Sequence, residues 1–203
     1  MIGLDQIGGL LVITLRRADK ANALTKHMLE TLEAAVASIG PDIRAVILTG
    51  EGRVFSAGAD LDEARAGLAV DPVWGRLSSR LAALPCLTIA ALNGTLAGGA
   101  MALALACDVR IAVPAAKFFY PVMRLGFLPQ PDDPARLAAL IGPSRAKLML
   151  MAGAKIDTYE ALSWGLIDRI IEPHALMTTA RDLAADVLLA SADHLAIIKS
   201  MLP

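Results

Sequence analysis

Flat, stacking side chains are scarce in this chain: aromatic residues make up 4% of its 203 positions. Its 19 Lys and Arg are scattered rather than gathered in a stripe, so the footprint of a nucleic-acid-binding protein is missing. Neither sign of charge is in excess, and a net charge of −1 gives no attraction to an anionic membrane. Cysteine is nearly absent. Cys86 and Cys107, with His27, His174 and His194, form no metal-ligand spacing, so no metal is expected. Cys107 reads as a buried small hydrophobe and His27 as a residue on the polar side of a helix. The opening MIGLDQIGGLL has an acid before its apolar run and no basic segment, unlike a secretory signal, so a cytoplasmic location is expected.

What is present is aliphatic: 56% of residues are hydrophobic, mostly Ala, Leu, Ile and Val, which suits helices packed closely on sheets and excludes disorder. One charge-free run, Leu87 to Cys107, is about long enough to cross a bilayer. Its punctuation argues otherwise. Asn93-Gly94 is a turn dipeptide and Gly98-Gly99 follows, dividing the run into a strand over Leu87–Leu92, a loop, and a helix over Gly99–Cys107. A glycine pair opening an apolar helix leaves backbone N–H groups unpaired and uncovered, able to hold a developing negative charge; close packing of helix on sheet is the plainer reading of the pair taken alone.

Strand-length apolar runs recur at Leu10–Leu15, Ile43–Thr49, Val109–Val113 and Ile167–Ile171, with a shorter extended piece at Lys117–Tyr120. Between them lie helical patterns. Thr25 is placed to cap a helix over Thr25–Ile39 with Met28, Leu29, Leu32, Ala35 and Val36 on its apolar face. A helical segment is expected over Asp71–Leu84, and further helices over Pro134–Leu140, Ser144–Met151 and Thr158–Trp164. The stretch LGFLPQPDDP reads as a loop. The alternation argues an α/β fold with covered sheets, in one domain.

Several stretches in order along almost the whole chain carry a resemblance: NAL at Asn22–Leu24, FSAGADL at Phe55–Leu61, NGTLAGGAMALALACDVRIA from Asn93, LGFLP at Leu125–Pro129, LMLMAGAKIDTYEALSWGLIDRIIEP at Leu148–Pro173, and Lys199. Together they resemble the crotonase superfamily, the enoyl-CoA hydratase/isomerase family. The resemblance implies a ββα superhelix, here a core over 1–172 and a short helical segment over 173–203. It also implies a homo-oligomer, a trimer or hexamer, that binds an acyl-CoA thioester, with coenzyme A as part of the substrate and no other cofactor. By motif match, the backbone N–H groups of Ala59 and Gly99 would form an oxyanion hole, and Lys20, Ala21, Ala23, Ala57, Asp60 and Leu61 would line the CoA path. Read without the resemblance, Lys20 is a solvated loop charge and Asp60 a helix N-terminal acid.

Two departures follow. The family's hydratases carry two glutamates that split water, and the matching positions here are Ala102 and Val122, neither of which can move a proton. One replacement acid is available in the later loop, Asp132; the plainer reading has Asp133 capping the following helix and Asp132 in solvent. Tyr120 and Arg124 stand beside the lost glutamate. The family also continues beyond Lys199 for several dozen residues, so a more open site, or one closed by a neighbouring subunit, is expected. The apolar residues Leu183, Val187, Leu188, Leu195 and Ile198 would then serve either internal packing or subunit contact. Two functions remain open: an enzyme acting through the oxyanion hole without the two acids, and a non-catalytic acyl-CoA carrier or sensor.

Overall fold

The computed structural model describes residues 1–202. Its strands are β1 (Ile2–Ile7), β2 (Leu10–Leu15), β3 (Ala45–Gly50), β4 (Val54–Ser56), β5 (Leu87–Leu92), β6 (Thr95–Ala97), β7 (Val109–Ala112), β8 (Lys117–Phe119), β9 (Ile156–Asp157) and β10 (Arg169–Ile170). They form two sheets, one in the order β1-β2-β3-β5-β7-β10 and a smaller one in the order β4-β6-β8-β9. Only β1 and β9 run antiparallel to their neighbours. Burial on both faces is what a parallel sheet requires, and β2, β3 and β5 are accordingly near-continuous apolar runs.

The helices are α1 (Lys26–Ala37), α2 (Leu61–Arg65), α3 (Val73–Ala82), α4 (Met101–Leu105), α5 (Val122–Leu125), α6 (Asp133–Ile141), α7 (Pro143–Leu150), α8 (Thr158–Trp164), α9 (Leu176–Leu183), α10 (Ala185–Leu189) and α11 (Ala192–Ser200). A strand of the large sheet, a short strand of the small sheet and a helix then recur as β3-β4-α2, β5-β6-α4 and β7-β8-α5. The expected α/β fold of ββα turns is the one observed.

Local chemistry explains the better-marked elements. The Thr25 hydroxyl accepts from the Met28 N–H at 3.2 Å, and α1 buries the five residues that its periodicity put on one face. The charge-free run divides at Asn93-Gly94, as expected, but gains a strand, β6, before the Gly98–Ala100 turn, and α4 ends at Leu105 with every residue buried. Among the described residues no helix is long and apolar enough to cross a membrane. Short strands β4, β6 and β9 and edge strand β1, half exposed, carry too few alternating residues to register in the sequence.

Residues after Pro173 pack on the large sheet rather than beside it. Helix α9 buries Leu176 and Ala180 against β5 and β7, and Leu183, Val187 and Leu188 lean on the core. Leu195 is buried as well, whereas Ile198 is 46% exposed. Lys199 Nζ donates to the Cys86 carbonyl at 2.9 Å and to Asp108 Oδ2 at 2.8 Å, tying α11 to the feet of β5 and β7.

Candidate active site

Strands β4, β6 and β8 lie side by side and parallel, with Ser56 beside Leu96 and Ala97 beside Phe119. They therefore end at one level, and the chain leaves them through three adjoining turns: Ala57-Gly58-Ala59, Gly98-Gly99 and Tyr120-Pro121-Val122. The carboxyl ends of neighbouring parallel strands are where the backbone groups of following turns face outward together. Here two turns are in direct backbone contact. A Cβ on Gly58, whose φ is +98°, would stand 2.9 Å from the Ala97 carbonyl oxygen and 3.3 Å from the Gly99 nitrogen.

This contact collects donors. Leu24 bridges to Ala59 by giving its N–H to the Gly58 carbonyl at 2.8 Å and taking the Asp60 N–H at 2.8 Å, which turns the N–H of Ala59 itself the other way. Gly99 lies in the first turn of the segment leading into α4, where no earlier carbonyl and no capping side chain takes its N–H. Among the described residues neither N–H has an acceptor. Both residues line one cavity of about 510 Å³, its open mouth included.

The cavity is apolar apart from those two donors, Tyr120 and Gln130. Trp74 forms one wall; its indole Nε1 donates to the Leu68 carbonyl at 2.9 Å, and its ring would stand 3.2 Å from a Cβ on Gly99. Val122 and Phe127 continue the wall, and Leu61 and Leu128, 50% and 77% exposed, form an open rim.

The expected site residues are distributed unevenly about this cavity. Ala57, Ala59, Leu61, Gly99 and Val122 line it. Ala102 does not: it is wholly buried in α4, its carbonyl taking the Ser78 hydroxyl at 3.4 Å. Ala21 accepts the Ala57 N–H at 2.9 Å, so the segment Lys20–Ala23 runs beside the Ala57 turn with Lys20 exposed. Asp60 has the role of a helix N-terminal acid: it caps α2 through the Asp62 and Glu63 N–H groups and pairs with Arg17 at 2.8 Å. The Arg17 guanidinium holds that carboxyl below the usual range.

The loop acids differ from expectation. Asp132 does not line the cavity; its Oδ2 takes the Ser79 hydroxyl at 3.1 Å and Arg136 Nη2 at 3.3 Å, and its side chain is 45% exposed. Asp133 is not a cap. It is the first residue of α6, wholly buried, with Oδ2 accepting from the Tyr120 hydroxyl at 2.8 Å and Oδ1 without any partner. The Tyr120 oxygen in turn accepts the Gln130 N–H at 3.1 Å. Burial pushes Asp133 up to about 7, while the Tyr120 hydrogen bond and Arg136 oppose it. Burial and the Asp133 charge also drive the Tyr120 phenol well above its ordinary value. Arg124 is exposed and outside the wall. Trp74, Gln130 and the Tyr120–Asp133 pair are the site features that sequence reasoning missed; two adjacent acids between Pro131 and Pro134 do not reveal which one is buried.

Comparison with known proteins places the sequence and the fold. The profile of the family described as enoyl-CoA hydratase/isomerase matches residues 5–203. YngF of Bacillus subtilis is 41% identical over 185 residues, which are 87% of this chain and 71% of that protein. The short-chain-enoyl-CoA hydratase of Clostridium acetobutylicum is 34% identical over 193 residues, 91% of this chain and 74% of the hydratase. A crystal structure of enoyl-CoA hydratase from Bacillus anthracis superimposes with a TM-score of 0.90 at 33% identity, covering 98% of this chain and 81% of that one. On its ββα sheets, its sequence and these likenesses, the chain belongs to the enoyl-CoA hydratase/isomerase family and has the crotonase fold.

Proposed function

We propose that the cavity binds an acyl-CoA thioester, with the thioester oxygen on the N–H groups of Ala59 and Gly99, and that the chain stabilises the enolate formed when an α-proton leaves. The observation that carries this reading is the pair of unpartnered N–H groups in one otherwise apolar cavity. Donors fixed where negative charge develops act without reorganising, and removing one from such a site costs about 3 kcal/mol of transition-state stabilisation. The apolar wall of Trp74, Val122 and Phe127 takes the acyl group. The CoA portion leaves by the rim, past Leu61 and the backbone of Lys20–Ala23 and Ala57, with Asp60 holding the start of α2.

Water addition by two acids is not the reaction proposed, because Ala102 and Val122 present only hydrocarbon at the two positions that the family resemblance assigns to glutamate. The same two side chains support a second reading, a carrier that binds acyl-CoA without turning it over. Mass spectrometry of butyryl-CoA and crotonyl-CoA after incubation with the protein in heavy water separates the two. Deuterium at the α-carbon supports the enzyme. Saturable binding of unchanged thioester supports the carrier, and absence of binding rules out both. We also propose a homo-oligomer, a trimer or hexamer, supported by the exposed apolar side chains Leu189, Ile197, Met201 and Leu202 in and just after the last two helices.

A further inference from the structure

Tyr120 has one hydrogen and two polar neighbours. Its oxygen takes the Gln130 N–H at 3.1 Å and lies 2.8 Å from Asp133 Oδ2. A phenol offers one donor and two lone pairs, so the protonation state of Asp133 decides where that hydrogen points. When Asp133 is a carboxylate, Tyr120 donates to it. When Asp133 is a neutral acid with its proton on Oδ2, the acid donates instead, both phenol lone pairs are filled, and the Tyr120 hydrogen is left for the cavity that Tyr120 lines.

The second oxygen of Asp133 strengthens the case. A wholly buried carboxylate with one oxygen unpartnered is costly to hold as a charge, and no structural need of α6 calls for it, since it caps nothing. Charged groups near it are few. On its own helix stands Arg136 and just before it Asp132, and Arg136 also contacts the Ser78 hydroxyl of α3. Ser79 of α3 donates to Asp132, while Arg76 and Arg80 of that helix turn to Glu33. Helix α4 has no charged residue; on α7, Arg145 lies over Trp164 and Lys147 is exposed.

We propose that Tyr120 is the catalytic acid and base of this cavity and that Asp133 is the positioning residue that receives and returns its proton. The inference rests on the acyl-CoA reading above. In the forward step the Tyr120 oxygen takes the α-proton while the Tyr120 hydrogen passes to Asp133 Oδ2. The electrons of the broken C–H bond move into the thioester oxygen, held by Ala59 and Gly99. While the enolate is held, the Tyr120 hydrogen exchanges with water through the open mouth of the cavity. In the return step Tyr120 gives this solvent-derived hydrogen to the carbon, recovers the one on Asp133, and the carbonyl re-forms. No other reactant is consumed.

Near neutrality both states of Asp133 are populated, since burial brings it up to about 7. The test is α-hydrogen exchange of butyryl-CoA in heavy water, with binding measured separately by calorimetry. Exchange by the parent protein should rise with pH to a plateau, with a midpoint near 7. Tyr120→Phe keeps the ring and should lower exchange by a hundredfold to ten-thousandfold, on the order expected for one acid-base group, with affinity for butyryl-CoA unchanged. Asp133→Asn, which still accepts from Tyr120 but cannot take its proton, should show the same loss and no pH limb. Because Tyr120→Phe strands a buried carboxyl, the double variant Tyr120→Phe/Asp133→Leu, which removes both partners together, should fold, bind and fail to exchange. Parental exchange in that double variant would overturn the inference, as would loss of exchange in Asp132→Asn alone. Binding without exchange by the parent overturns the dyad and leaves the acyl-CoA reading standing; no binding overturns both.

Discussion

At the scale of single residues, Gly58 and Gly99 differ in what they forbid. Gly58 combines a φ of +98° with a backbone oxygen where its Cβ would go, and a backbone oxygen cannot swing aside. Gly58→Ala should lose about 1–3 kcal/mol in urea unfolding and separate the Ala59 and Gly99 N–H groups, so α-exchange falls with stability. At Gly99 the obstacle is the rim of the Trp74 ring at 3.2 Å, a side chain rather than backbone and a less severe approach. Gly99→Ala should therefore unfold closer to the parent than Gly58→Ala while still narrowing the cavity; equal losses in both would mean that Trp74 is fixed as firmly as backbone. The cysteines make a contrasting case. Burial pushes the Cys86 thiol up to about 11 and the Cys107 thiol up to about 12, so thiolate is scarce at neutral pH. Neither thiol should react with an alkylating reagent at pH 7.5 until denaturant is added, as mass spectrometry of the modified protein would show.

At the scale of elements, the start of α6 shows what the sequence could and could not say. An Asp ahead of a Pro and an apolar run reads as a helix cap, and the local rule is sound: a carboxyl at a helix N-terminus usually faces solvent and accepts N–H groups. What overrides it is a hydroxyl from another element, Tyr120 beyond the end of β8, which no local pattern links to Asp133. The result is a titration that stability can report. The folded-state value of Asp133, about 7, lies above the ordinary carboxyl range, so between about pH 4 and pH 7 the unfolded chain binds fewer protons than the folded one. Stability from this group is greatest below that window, falls as pH rises through it, and levels off above. Asp133→Asn cannot ionise and should gain on the parent between pH 4 and pH 8, by about 4 kcal/mol at the upper limit. A difference independent of pH would mean that Asp133 is ionised throughout. The long strands and α1 were legible because each carries a complete apolar run or face, and the turns at Ala57-Gly58-Ala59 and Gly98-Gly99 because glycine marks them. Of the three strands that set those turns side by side, β8 was legible as the extended piece at Lys117–Tyr120, whereas β4 and β6, three residues each, show no period. The motif therefore located Ala59 and Gly99 without showing why they meet; the reason is the register of three strands that end together.

At the scale of the whole molecule, the cavity lies where separate parts of the chain converge: the ends of β4, β6 and β8, the starts of α2 and α3, and the loop between α5 and α6. Its rim is open, with Leu61 and Leu128 exposed, so a ligand that fills it covers apolar side chains from several of these segments at once. Binding to the folded state alone stabilises it by mass action, about 2.7 kcal/mol at a hundredfold excess over Kd. For a chain of this size each kcal/mol is worth roughly 2–4 °C, so butyryl-CoA at that excess should raise the Tm by about 5–11 °C. The acyl group is the informative part of the ligand. If it lies against Trp74, Val122 and Phe127 with its carbonyl on Ala59 and Gly99, then coenzyme A, which lacks both the acyl chain and the thioester carbonyl, should give a clearly smaller shift at the same concentration. Equal shifts would assign the binding energy to the rim and the Lys20–Ala23 segment, and would take the thioester away from the two N–H groups.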